Sequence, residues 1–164
     1  MPSRYPPISQ LVSDFKKARR ELTAYLEQQP NKIGDLATKN VRSNIDLATD
    51  SVGSTWPQRS KATYLIYERQ DSSMNNRPLL NQSGKLRRSV RKYEVTKKSV
   101  FIGISLLSNP QARLLDRGGQ FKMFGKHTAN MPQREYMYLS DNFQDIVYKS
   151  WDRGISRILK KYKK

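Results

Sequence analysis

The chain has 164 residues and a mass of 19.1 kDa, which suits one domain or at most two small ones. Its 31 Lys and Arg residues outnumber its 14 Asp and Glu residues, and the formal net charge is +17. The absence of cysteine excludes disulfide scaffolds, thiol nucleophiles and cysteine metal sites. No stretch approaches the ~20 apolar residues of a membrane helix. The first ten residues also lack the apolar segment of a signal peptide, so we expect synthesis in a reducing cytoplasm and no membrane partner.

The positive charge is concentrated in the second half of the chain. Residues 1–80 contain 12 Lys or Arg and 8 Asp or Glu, a balance of +4, whereas residues 81–164 contain 19 and 6, a balance of +13. Such asymmetry indicates one electropositive face rather than a general aid to solubility. We therefore expect this face to meet an acidic partner.

The first 55 residues carry apolar side chains three and four residues apart, which is typical of amphipathic helices. The first set is Ile8, Leu11, Val12, Phe15, Leu22, Tyr25 and Leu26, and the second is Ile33, Leu36, Ala37, Val41, Ile45 and Ala48. The first helix is expected to end near Pro30 and the second before Gly53, which predicts an N-terminal helical hairpin over residues 1–55. Trp56-Pro57 interrupts the pattern, because a residue before proline avoids the helical region.

Residues 56–164 are expected to form an α+β core. Residues 64–67 fit either a helix or a strand, and residues 68–77 are the best candidate for a mobile loop. Strict alternation of Val100, Ile102, Ile104 and Leu106 indicates a half-buried strand, so residues 91–96 and 99–106 are predicted to pair in a small antiparallel β-sheet.

The rest of the core is predicted to contain a short helix, a loop, an extended segment and a final helix. Residues 112–119 predict a helical turn closed by glycines, and residues 120–132 a loop. Pro132 favours an extended conformation over residues 131–139. A long C-terminal amphipathic helix, capped by Ser140 or Asp141, is expected to pack across the sheet and to end in a basic tail at residues 160–164. Its apolar stripe is Phe143, Ile146, Val147, Trp151, Ile155, Ile158 and Leu159.

The sequence offers little for catalysis. His127 is the single histidine and lies near a glycine, where an ordinary surface role is the simpler interpretation. Asp141 and Asp145 are four residues apart, but helix capping and a solvated face explain them better than acid–base work. The spacing of a phosphate-binding loop is missing around Gly84 and Gly118. We therefore expect no enzyme, no metal and no cofactor.

A dense basic cluster is the strongest local signal for a binding surface. Its six cations fall within twelve residues and are Arg87, Arg88, Arg91, Lys92, Lys97 and Lys98. Such a cluster could neutralise phosphates without reading base sequence, or it could be a solvated basic face. Helix-turn-helix, zinc-finger and RNP-type signatures are absent. A non-specific DNA- or RNA-binding protein therefore stays open as an alternative, whereas a ribonuclease toxin lacks an acid–base group.

A series of motifs in the second half resembles a known family. In chain order the motifs are Trp56-Pro57, Leu80-x-x-Ser83-Gly84-x-Leu86-Arg87-x-Ser89-Val90, Ile102-Gly103, Ala112, Gly118-Gly119 and Met131-Pro132-x-Arg134-x-Tyr136-Met137, followed by the final amphipathic helix. Over residues 56–160 this order resembles the virion morphogenesis or tail-completion (neck) protein family of tailed phages such as Mu, P2 and lambda. The chain departs from the family pattern at Gln111 and at Asp116-Arg117.

The resemblance implies a structural virion protein of the neck or head-proximal tail end. It would complete the tail or join head to tail as a homo-oligomeric ring, contacting other neck, connector or tail-terminator proteins and packaged DNA. We expect the basic cluster to face an acidic partner or the DNA channel. The residues expected at the subunit interface are Met131, Pro132, Arg134, Tyr136, Gly118 and Gly119.

Overall fold

The computed structural model describes residues 6–70, 72–76, 79–80, 83–123 and 127–163. The fold is α+β, as the sequence predicts, with a bent N-terminal helical pair, two small antiparallel sheets and a long C-terminal helix. The helices are α1 (Ile8–Glu27), α2 (Gln29–Leu47), α3 (Lys61–Gln70), α4 (Lys85–Ser89), α5 (Ala112–Arg117) and α6 (Phe143–Lys160), with a 3-10 helix at Ser72–Asn76. The strands are β1 (Arg91–Val95), β2 (Val100–Gly103), β3 (Gly119–Met123) and β4 (His127–Met131).

Helices α1 and α2 form a bent pair instead of the predicted hairpin. Gln28 alone joins them, and its φ of −86° and ψ of −15° are close to helical, so the chain bends without reversing. Pro30 lies in the first turn of α2, where its missing N–H group removes no helical hydrogen bond. Helix α2 ends at Leu47 because Ala48 adopts the left-handed conformation, with a φ of 56°.

Helix α2 is the central element of the hydrophobic core. The buried core residues are Val41, Ile45, Trp56, Leu86, Val90, Ala112 and Tyr136. The indole nitrogen of Trp56 donates a hydrogen bond of 3.0 Å to the carbonyl oxygen of Glu135. Because α2 and the second half of the chain share this core, neither predicted region buries its apolar residues alone.

The predicted β1–β2 pair is confirmed, and the second strand is shorter than expected. Pairing runs from Arg91 opposite Gly103 to Val95 opposite Val100, with a bulge between Lys92 and Glu94. Strand β2 ends at Gly103. Residues 104–106 therefore lie outside the sheet.

The loop predicted at residues 120–132 is a second hairpin. Strands β3 and β4 pair in register from Gly119 opposite Met131 to Met123 opposite His127. The sequence does carry alternation here, since the polar residues Gln120, Lys122, Thr128 and Asn130 each precede an apolar residue, but each alternating run is only four residues long. The short helix closed by glycines is confirmed as α5, with Gly118 at its C-cap.

Helix α6 packs against α1 and α2, whereas the sequence analysis predicted that it packs across a sheet. Gly154 lies against the ring of Tyr25, whose hydroxyl donates a 3.1 Å hydrogen bond to the carbonyl oxygen of Ser150. The N-cap is Asn142 rather than Ser140 or Asp141. Ser140 contributes instead by accepting a backbone hydrogen bond of 2.8 Å from Phe143.

The ambiguous segment at residues 64–67 is helical and belongs to α3. The predicted mobile loop at residues 68–77 is also helical where the structure describes it, because α3 continues to Gln70 and the 3-10 helix follows. Residues 71 and 77 lie outside the described residues. Within the described ranges, every helix is too short or too polar to cross a membrane.

Candidate functional site

The basic cluster lies along α4, β1 and the turn into β2, and half of it is neutralised inside the chain. Three of its cations form ion pairs with acidic residues of the helical pair. These pairs are Arg87 with Asp46 at 2.8 Å, Lys92 with Asp35 at 2.7 Å and Lys97 with Glu27 at 2.8 Å. Arg87 uses its Nε atom against both carboxylate oxygens of Asp46. These three side chains therefore fasten the second half of the chain to α1 and α2.

The other three cations make no ion pair with any residue that the structure describes. Arg88 donates to the backbone carbonyl of Ser83 at 2.9 Å, and Arg91 stacks on Tyr93 with its guanidinium 5.1 Å from the ring centre. Lys98 is exposed in the turn between β1 and β2. Within the basic cluster, the positive charge available to a partner is thus carried by Arg88, Arg91 and Lys98.

Gly118 permits the 131–137 segment to lie against α5. Its φ of 70° and ψ of −176° are conformations that residues with side chains rarely adopt. A Cβ atom there would also lie 2.8 Å from the backbone nitrogen of Gln133 and 3.1 Å from the carbonyl oxygen of Met131. Gly119, with a φ of 136°, continues the turn into β3. Gly118 therefore serves a contact within the chain, and Gly119 begins β3 opposite Met131.

Tyr136, which the sequence analysis assigns to the subunit interface, is buried in the core of the chain. Its side chain is 1% exposed, and its hydroxyl donates to the carbonyl oxygen of Ala112 at 2.9 Å. Asp116 accepts hydrogen bonds from the backbone nitrogens of Tyr136 and Met137 at 3.0 and 3.1 Å. Burial, followed by the nearby Asp116 carboxylate, raises the pKa of Tyr136. Asp116 thus fixes the segment that carries Tyr136.

Arg134 is also buried, against the chain segment that follows Trp56. Its guanidinium donates to the carbonyl oxygen of Pro57 from Nε at 3.3 Å and from Nη2 at 3.1 Å. Burial, followed by repulsion from Arg59, lowers the pKa of Arg134. Arg134 borders an open groove of about 780 Å³ between α3, α5 and the β3–β4 hairpin. Of the predicted interface side chains, only Pro132 is exposed and Met131 is half-buried.

The sequence reasoning missed an exposed apolar face on α1. The α1 stripe, as we call it, consists of Ile8, Leu11, Val12, Phe15 and Leu26, all exposed. Ile8 and Phe15 expose 79% and 78% of their surface. The periodicity that predicts the helix also predicts a buried face, and it gave no sign that this chain leaves that face uncovered. Contiguous exposed apolar side chains are typical of protein–protein interfaces.

The residues weighed for catalysis lie on two elements of the fold. His127 begins β4 opposite Met123, and Asp141 and Asp145 lie at the start of α6 on exposed surface. Within the described ranges, no three His, Asp or Glu side chains are arranged to hold a metal ion.

No protein-family model matches the chain, and neither a curated protein nor a solved structure is similar to it.

Proposed function

We propose that the chain is a structural virion protein of the neck or head-proximal tail end, which completes the tail or joins head to tail as a ring of subunits. The observation that carries the proposal is the α1 stripe, because four of its side chains within two helical turns face solvent. A folded subunit with such a face gains stability when another protein covers it. The exposed stripe supports only the general expectation that the chain binds another protein. The resemblance in the order of motifs over residues 56–160 supports the more specific proposal of a phage neck protein.

The basic surface fits the same proposal. Arg88, Arg91 and Lys98 retain their charge outside the chain's own ion pairs, on the half of the sequence with a balance of +13. A ring through which DNA passes needs attraction to phosphates and no base readout. We therefore assign these three cations to the DNA channel or to an acidic neighbour, with function by docking and without chemistry.

The test uses a tailed phage that carries this gene, with a nonsense mutation in the gene. We expect separate filled heads and tails in electron micrographs, and joined particles when the wild-type chain is supplied from a plasmid. An antibody against the chain is expected to label the neck. Normal joined particles without the chain, or purified virions that lack it, would contradict the proposal.

A second function, non-specific binding of DNA or RNA, is favoured by the same unpaired cations. Two triple variants with equal loss of charge separate the alternatives. One replaces the unpaired set, Arg88→Gln, Arg91→Gln and Lys98→Gln, and the other replaces the paired set, Arg87→Gln, Lys92→Gln and Lys97→Gln.

Each phosphate contact contributes about 0.9 to the slope of log affinity against log salt concentration. If the chain is chiefly a nucleic-acid-binding protein, a monomer will bind duplex DNA with a steep slope. The unpaired-set variant will then lower that slope by up to about 2.7, while the paired-set variant leaves it nearly unchanged. Weak binding by the wild type, together with the chain's presence at the neck, would favour the virion protein.

A further inference from the structure

The second half of α6 carries three exposed cations on one side of the helix. Arg153 and Arg157 are four residues apart and Lys160 follows three residues later, which is the spacing of neighbours on one helical face. Within the part of the chain that the structure describes, none of the three forms an ion pair. We call Arg153, Arg157 and Lys160 the α6 ridge.

The two exposed acids of α6 lie on the side of Lys149, which is not part of the ridge. Asp145 is four residues before Lys149 and Asp152 is three residues after it, so both offset the charge of this lysine. Asp152 also precedes Arg153 directly, but neighbouring residues point about 100° apart on a helix. The positions three and four residues from each ridge cation hold only neutral or basic residues. The charge of the ridge is therefore not offset within α6.

Two acids of α1 approach the C-terminal end of the ridge. Glu21 pairs with Lys161 at 2.9 Å and accepts a 2.8 Å hydrogen bond from the hydroxyl of Tyr162. The hydrogen bond to Glu21, then burial and the charges of Glu21 and Asp14, raise the pKa of Tyr162, which places Asp14 near this end. Lys161 and the exposed Lys163 lie on either side of Tyr162 and balance these two acids. The three charges of the ridge remain uncompensated.

The ridge has an intrinsic cost that its own chain does not remove. Like charges four residues apart on a helix repel one another and destabilise it. The helix dipole favours Arg157 and Lys160, which lie in the last turn. Arg153 lies before that turn, and its Nε atom donates to the neutral carbonyl oxygen of Lys149 at 3.0 Å. An anion supplied by another molecule would relieve this repulsion.

The composition of the ridge favours a phosphate backbone over an acidic protein surface. Its neighbours on the same side are Ser150 and Ser156, and the exposed apolar residue of this side, Ile146, lies two turns before Arg153. Protein interfaces usually have an apolar centre and little lysine, whereas protein–DNA interfaces are polar and strongly positive. The ridge spans about 10 Å along the helix axis. One strand of DNA presents about three phosphates over that length, one for each cation.

We propose that the α6 ridge binds the phosphate backbone of duplex DNA without reading its base sequence. The ridge lies outside the basic cluster of residues 87–98, so it is a second phosphate-binding surface on this chain. In a neck ring it would face the DNA channel. The inference goes beyond the proposed function and concerns the isolated chain, so it can be tested whether or not the chain is found in virions.

Salt-dependent binding tests the ridge on the full-length purified chain. The ridge variant replaces its three cations by glutamine, which keeps the helix propensity close to that of Arg and Lys. A control variant loses the same charge from exposed positions of α3 and β3, through Lys61→Gln, Arg69→Gln and Lys122→Gln. Fluorescence anisotropy of a short labelled duplex gives the affinity from about 50 to about 200 mM salt.

We expect the ridge variant to lower the slope of log affinity against log salt concentration by up to about 2.7, and the control variant to leave it nearly unchanged. Among single changes, Arg153→Gln is expected to lower the slope more than Lys149→Gln, whose charge the two aspartates already offset. Equal losses in the ridge and control variants would show attraction by net charge alone and overturn the proposal. Absence of binding by the wild type at the lowest salt concentration would also overturn it. So would displacement of the duplex by polyglutamate as effectively as by unlabelled DNA, because the ridge would then suit an acidic protein.

A tethered cleavage reagent reports where the DNA lies. The chain has no cysteine, so Ser156→Cys gives a single attachment site for iron–EDTA beside the ridge. We expect this conjugate to cleave the duplex, and the Ser108→Cys conjugate, in the groove between α3 and α5, to cleave it far less. Equal cleavage by the two conjugates would contradict the proposal. Failure of the binding and cleavage tests removes the ridge and leaves the neck function standing, since the nonsense mutant alone decides that function.

Discussion

The hydroxyl of Tyr136 and the carbonyl oxygen of Ala112 form a buried 2.9 Å hydrogen bond between the 131–137 segment and the start of α5. Removing the hydroxyl takes away this buried bond and leaves the Ala112 carbonyl with its helical partner inside α5. We expect Tyr136→Phe to lower the free energy of unfolding by about 0.5–1.5 kcal/mol. Urea unfolding followed by circular dichroism measures the change, and Tyr148→Phe on exposed surface is the control. Equal, negligible effects of the two changes would show that the buried bond contributes nothing.

A comparison of Gly118 with Gly53 separates two costs of replacing glycine by alanine. One cost is the strained backbone conformation, and the other is the overlap of the new Cβ atom with neighbouring residues. Both have positive φ angles, 70° and 82°, but a Cβ atom would contact Gln133 at Gly118 and meet nothing within 4 Å at Gly53. We expect Gly53→Ala to cost about 1–2 kcal/mol from conformation alone. Gly118→Ala is expected to cost more, because the 131–133 segment must also move. If thermal or urea unfolding gives equal losses of stability for the two variants, the 131–133 segment moves at no energetic cost, and the prediction is wrong.

Gly154 lies in the interior of α6 opposite Tyr25. In most helices a change from glycine to alanine adds up to about 1 kcal/mol of stability. Here a Cβ atom would overlap the phenol ring of Tyr25, so we expect Gly154→Ala to destabilise the protein. In a Tyr25→Ser background the same change is expected to be stabilising. A double-mutant cycle from urea unfolding checks this reversal of sign, and identical effects in both backgrounds would contradict it.

The contact between α1 and α6 is expected to weaken in acid. The hydrogen bonds from Lys161 and then Tyr162 hold the pKa of Glu21 below its usual 4.5. A carboxyl whose pKa is lower in the folded state stabilises that state above its usual pKa, and this stability is lost as the pH falls through the lowered value. Melting temperatures of wild type and Glu21→Gln are therefore expected to differ near neutral pH and to converge well below pH 4.5. Glu27→Gln, which removes an exposed pair with Lys97, is the control, and a constant difference at all pH values would refute the assignment.

Local patterns in the sequence were enough to predict most of the helices and the first hairpin. The three- and four-residue spacing marks α1, α2 and α6, and strict alternation marks β2, because both depend only on neighbouring residues. The β3–β4 hairpin was not predicted, although its polar residues alternate with apolar ones, because each alternating run is only four residues long. The packing of α6 on α1 was not predicted either, since it depends on Gly154 and Tyr25, which are far apart in the chain.

The candidate surfaces were harder to predict for the same reason. The basic cluster is visible as a run of letters, but its division into paired and unpaired cations depends on acids 41 to 70 residues away, such as Asp46 for Arg87 and Glu27 for Lys97. Likewise, the motif around Arg134 and Tyr136 marks an important segment, and only the fold shows that both side chains point inward. The exposure of the α1 stripe is a property of the whole fold, which the spacing of residues within α1 does not report.

Lys92 protects the edges of the β1–β2 hairpin from pairing with strands of other molecules. Its side chain points toward α2, where its methylene groups lie over Gly34 and its ammonium meets Asp35. Both strands of a two-stranded sheet are edges, and edges with unpaired backbone groups invite strands from other molecules to join. A charged residue that points inward beside an edge makes such addition costly, because a continuous sheet would have to bury that charge. The lysine that joins the hairpin to the helical core thus also disfavours aggregation through the hairpin edge.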